Sequence, residues 1–183
     1  CVELGIPVNI HVFDPPAFYE PLDRFNEQLQ AAARYHFYGK NIHDRDTMMR
    51  KRNSIMERHP DLVVIGAHLG NSAHNLGELG QFLDRYPNFY IDLSARSWEY
   101  GRQPNTARKF LIQYQDRILF GTDLGPVANS YLPHFRLLET DDDAIVPQGA
   151  ARLGGWRVFG MHLPDEALRK IYFENAERVI PGV

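Results

Sequence analysis

Four short apolar runs punctuate the chain, at residues 6–12, 62–67, 88–93 and 117–120. The second contains Leu62-Val63-Val64-Ile65, apolar without interruption. That is the pattern of a parallel strand buried on both faces. Between the runs the apolar residues switch to helical spacing. Residues 46–57 open on Asp46 as an N-cap and run up to His59-Pro60, where proline stops the helix. Residues 74–85 place Leu76, Leu79, Phe82 and Leu83 on one stripe. Residues 106–114 do the same with Ala107, Phe110, Leu111 and Tyr114, and residues 165–178 follow Pro164 with Leu168, Ile171 and Tyr172. The first five residues, CVELG, read as a last helical turn closed by Gly5.

Strands alternating with helices imply βαβ units and a parallel sheet. Two connections exceed the usual length. One spans 13–45 and holds a helix near 22–34; the other spans 124–164 and holds the acidic stretch 139–143. Both follow a strand's C-terminal end, where long loops act as lids or binding loops. With 183 residues and no composition break, the chain reads as one domain, 1–183.

Composition narrows the function. The 20 Lys and Arg against 23 Asp and Glu leave a net charge of −3, so a phosphate backbone is repelled and nucleic-acid binding is disfavoured. No apolar stretch nears the roughly 20 residues of a membrane helix. A single cysteine, Cys1, excludes an internal disulfide framework and fits a reducing, cytoplasmic setting. The expected partner is a small-molecule substrate, with homo-oligomerisation open.

Three strands end in a ligand-type residue: His11, His68 in GAHLG, and Asp123 in FGTD. In barrels and open α/β sheets these ends line the site. Imidazole and carboxylate are the usual ligands of zinc, manganese or iron. Singly, each has a structural reading: His11 packs under a loop, His68 caps a helix, Asp123 makes a turn. Jointly, they suggest one site. Arg96 either clamps a substrate carboxylate or pairs with Asp92 or Asp14. Asp14 belongs to a rigid DPP turn or sits at the site's mouth. Arg136 and 139–141 read as a surface ion network.

The ordered set IPVNIH, VIGAHLGN, FYIDLSAR and ILFGTD, with the ending LRKIYFENAERVIPG, resembles the second half of the amidohydrolase-related family of metal-dependent TIM-barrel hydrolases and decarboxylases. The resemblance implies an α/β fold, a partial (β/α)8 barrel comprising strands 5–8 and their helices. It implies that His11 and Asp123 are metal ligands, that His68 is an acid/base or transition-state group, and that Asp123 also orients or deprotonates water. Arg96 and Asp14 are the substrate-binding candidates. The implied cofactor is a divalent metal, zinc first, manganese or iron otherwise. The family's His-x-His pair from its first strand has no counterpart here, so the chain is expected to be inactive or poorly folded alone and to come from a longer enzyme. The expected chemistry is hydrolysis of a small molecule by metal-activated water. Non-oxidative decarboxylation, or a non-catalytic binding module, are the alternatives.

Overall fold

A computed structural model describes residues 1–147 and 155–183. Four strands, β1 (Val8–Ile10), β2 (Val64–Gly66), β3 (Phe89–Asp92) and β4 (Ile118–Leu119), form one sheet in the order β1-β2-β3-β4. All three pairings are parallel, with Val8 opposite Val64, Val64 opposite Phe89, and Ile91 opposite Ile118. The connecting helices are α1 (Leu29–Tyr35), α2 (Arg45–Arg58), α3 (Leu76–Arg85), α4 (Pro104–Gln113) and α5 (Ala128–Glu139). A final helical stretch covers Asp165–Arg169, a π-type segment Lys170–Glu174 and Asn175–Val179. This is a partial TIM-barrel-like α/β arrangement.

The alternation of side chains along each strand explains two apolar layers. Val64, Phe89, Ile91 and Ile118 pack with Leu79 and Leu83 of α3 and Phe110 and Leu111 of α4. Ile65 and Leu119 face the other way and pack with Val179. Gly66 lies where β2 meets Phe89; a Cβ there would fall 2.4 Å from the Phe89 ring. Phe89 is fully buried and has no room to retreat. Gly66→Ala is therefore expected to cost about 1–3 kcal/mol, read from the midpoint of urea unfolding.

Several expected elements stand nearly as read. The strands are shorter than their apolar runs because pairing ends before the apolar residues do. Residues 2–4 form a tight turn that Gly5 closes at φ 61. Helix α2 starts two residues earlier than an Asp46 cap implies. Its cap is Asp44, not Asp46, and Asp44 accepts from the Thr47 amide at 2.8 Å. The helix in the first long connection is confined to Leu29–Tyr35. The second connection contains α5, which the pattern does not predict because Pro133 interrupts it. Arg136, read as part of an ion network with residues 139–141, instead makes a single exposed pair with Asp142, 2.6 Å apart.

The tail is pinned to the sheet by Asn175. It is fully buried, and its Nδ2 donates to the carbonyls of Gln115 at 2.6 Å and Ile118 at 2.7 Å. The π-type segment adds a second tie, with the Phe120 amide donating to the Ile171 carbonyl at 2.8 Å.

Candidate active site

The C-terminal end of β2 runs into an unusual backbone turn. His68, Leu69, Gly70 and Asn71 all have positive φ, at 60, 52, 56 and 62°. A left-handed conformation costs a non-glycine residue roughly 1–2 kcal/mol. Such strain persists only where the surroundings over-determine it, and it concentrates at functional sites. Here three groups hold the turn. Asp92 Oδ1, at the end of β3, accepts from the His68 amide at 2.9 Å. The buried Arg52, stacked over Phe82, donates to the Gly70 carbonyl at 2.5 Å. The Asn71 side chain accepts from the Val12 amide at 3.2 Å and donates to the Phe13 carbonyl. Asn71 thus ties the turn after β2 to the segment after β1, where His11 lies. Asn71→Ala is expected to destabilise the protein by about 2 kcal/mol through the unpaired groups, measured by chemical denaturation.

His68 and His11 meet edge to face, with ring centroids 4.7 Å apart. His68 is buried and His11 is exposed. His68 Nδ1 lies 3.0 Å from the Ser94 carbonyl and 3.0 Å from Ser94 Oγ. The Ser94 hydroxyl gives its own proton to Asp92 Oδ1. Both oxygens near Nδ1 therefore act as acceptors, so Nδ1 carries the proton and Nε2 keeps a lone pair. Burial lowers the His68 pKa, and the nearby Arg96 charge lowers it further. A neutral imidazole with a fixed tautomer is the form that accepts a proton.

The same sign governs stability. A histidine whose folded pKa is depressed contributes stability above its unfolded value of 6.5 and loses it as pH falls through the folded value. His134, buried in α5, is lowered for the same reason. Thermal stability is expected to fall on acidification below about pH 6.5, and His134→Gln should flatten part of that slope.

The other predicted site residues are placed as follows. Asp14 faces His11, with 3.7 Å from Oδ1 to Nε2. Arg96 is buried and pairs with Glu99, Nε to Oε2 3.1 Å, rather than with Asp92 or Asp14. Asp123 is exposed in the loop after β4, at φ 62. Asp123 makes no hydrogen bond or ion pair with His11, His68 or Arg96 among the described residues, whereas His11 and His68 touch. Of the aromatic residues beyond the strand ends, Tyr19 stacks on Phe13 at 3.9 Å, while Trp98 and Tyr100 are buried. Asp92, Ser94, Asn71 and Glu99 are site-forming residues that the sequence did not single out. For Glu99 a signal existed, the three-residue spacing from Arg96.

Among the described residues, no three His, Cys, Asp or Glu side chains gather closely enough to hold an ion. The touching imidazoles of His11 and His68 offer two donors, and a catalytic zinc takes three protein ligands. The described donors make at most part of a metal site.

The four-stranded parallel sheet with its surrounding helices, its strand ends carrying the strained turn, His68 and the buried Arg96, is a partial TIM-barrel-like α/β fold. The chain belongs to the amidohydrolase family, whose model matches residues 1–182. No curated protein and no solved structure matches it. No helix among the described residues is long and apolar enough to cross a membrane.

Proposed function

We propose that the chain serves a hydrolase acting on a small molecule at a C–N, C–O or lactone-type bond, with the rim above β1–β4 as its site. The observation that carries this reading is the His68 environment. Its tautomer is fixed by Ser94, its burial keeps it neutral, and it lies beside a second imidazole. In this reading His68 Nε2 takes a proton from the attacking water and returns it to the leaving group. Arg96 holds a substrate carboxylate, and Asp14 orients His11. Family members generally bind divalent metals. His11 and Asp123 are this chain's candidates for contributing to such a site, with zinc first and manganese or iron otherwise.

The buried Arg96 also favours a second reading, non-oxidative decarboxylation of a carboxylate substrate. A substrate screen with product analysis separates the two. Hydrolysis incorporates oxygen from labelled water into the product, whereas decarboxylation releases CO2 without it. A screen over esters, amides, lactones and aromatic acids in which neither reaction appears, with metal supplied, contradicts the enzymatic reading and leaves the binding module. Metal content is the companion measurement. His11→Ala and Asp123→Ala are each expected to lower bound metal, and full retention in both refutes their assignment.

A further inference from the structure

Arg96 and Glu99 stand one turn apart where the chain leaves β3, with Glu99 in the single turn Ser97–Tyr100. Both are almost fully buried, at 6% and 5% exposure. Arg96 Nε is satisfied by Glu99 at 3.1 Å, and Nη1 by the Ala95 carbonyl at 2.8 Å. Nη2 is buried and has no hydrogen-bond partner among the described residues. Buried donors are almost always paired, so an idle N–H edge on a buried guanidinium needs a reason. A ligand oxygen supplies one, and a carboxylate matches the planar guanidinium best. Glu99 also lines a cavity of about 610 Å³ together with His74, Arg102, Gln103 and Trp156.

We propose that Arg96 and Glu99 form a carboxylate-recognition pair in which the ligand's carboxylate takes over the guanidinium and Glu99 takes up a proton from solvent as the ligand binds. The inference rests on the reading of Arg96 as a substrate clamp, and it adds Glu99 as the residue that makes the clamp respond to pH.

Two carboxylates on one buried cation repel each other, and the outcome is that one of them is neutralised. Glu99 is already close to that state. Burial pushes its carboxyl up to about 7, against the opposing pull of Arg96, of Arg102 and of a hydrogen bond from Gln28. A ligand carboxylate on Arg96 weakens that pull and adds repulsion, so the proton goes to Glu99. The cavity that Glu99 lines gives the proton a path from solvent. The other charged groups facing this cavity do not substitute for Glu99. Glu27 and Arg102 form their own ion pair at 3.0 Å, and Arg157 is a cation. His74 is held below its ordinary range by burial and by Arg45, so it is neutral at pH 7 and above. On the Arg96 side the charges of Asp14, Asp123 and Asp92 act on the guanidinium, and His68 is lowered.

The sign follows from linkage. Above about pH 7 the empty pair is ionised and each ligand must bring a proton with it, so affinity falls by up to about tenfold per pH unit. Below that pH Glu99 is already protonated and affinity levels off.

The test uses benzoate as the probe, titrated calorimetrically into the whole protein at about pH 7 and about pH 8, in PIPES and in Tris. These buffers differ in ionisation enthalpy, so the heat reports protons exchanged. The expected result is uptake of nearly one proton per benzoate at the higher pH, with a several-fold loss of affinity. Glu99→Gln keeps the acceptor for Arg96 Nε and is expected to bind benzoate with no proton uptake and no pH dependence. Benzamide, the neutral counterpart, should not bind. Binding that Arg96→Ala abolishes but that takes up no proton, or a Glu99→Gln variant that keeps the pH slope, overturns the coupling alone. No benzoate binding by the wild type, or undiminished binding by a folded Arg96→Ala variant, overturns both the coupling and the clamp.

Discussion

Asp92→Ala is expected to cost about 3–4 kcal/mol of folding stability. The Asp92 carboxylate holds three donors. Its Oδ1 accepts from the amides of His68 and Ser94, at 2.9 and 3.0 Å, and from the Ser94 hydroxyl. Removing it leaves two buried backbone N–H groups without an acceptor, each costing about 1–3 kcal/mol. It also frees the first residue of a left-handed turn that nothing else holds as directly. Asp92→Asn retains a carbonyl at the same place and should recover part of the loss, because a neutral acceptor makes weaker bonds than a carboxylate. The measurement is urea denaturation, with the midpoint shifted and the slope unchanged. A loss below about 1 kcal/mol for the alanine variant would show that the turn is held by other means.

His68→Gln carries the largest expected effect on turnover. A positioned general acid/base contributes on the order of 10²–10⁴-fold to rate. Glutamine is neutral and cannot take a proton at the Nε2 position, so kcat should drop by about that factor while KM changes little. The readout is steady-state kinetics on the substrate found in the screen, beside a circular dichroism melt. A variant that retains kcat within about threefold would remove His68 from the chemistry. His11→Gln distinguishes a partner from a bystander. If the edge-to-face contact matters only for packing, an exposed His11 should be replaceable with little effect on His68.

The parallel sheet is legible at β2, buried on both faces, where burial forces the continuous apolar run Leu62-Val63-Val64-Ile65. Helices α3 and α4 were legible because each buries one stripe. Helix α5 was not, since Pro133 is tolerated within it and its apolar residues share no clean stripe with the polar ones. The cap of α2 was misplaced by two residues because Asp44 and Asp46 are chemically the same. At the rim, His11 and His68 could be seen as strand-end residues, and the structure brings them into contact. Asp92 was invisible as an anchor. Its partners are backbone groups, including one 24 residues away, and backbone donors leave no trace in side-chain identity. Arg96 was visible as a candidate clamp, but its partner was read as Asp92 or Asp14. The three-residue spacing to Glu99 makes the actual pair local, and burial of both side chains makes it strong.

The proposed chemistry at the rim requires a neutral His68 that carries its proton on Nδ1. Nitrogen-detected NMR of the histidine side chains tests this without any substrate. His68 is expected to show a protonated Nδ1 and an unprotonated Nε2 at neutral pH, titrating below the ordinary 6.5. A Ser94 substitution that shifts the backbone is expected to loosen this preference. A His68 that titrates above 6.5, or one protonated on Nε2, would contradict that chemistry.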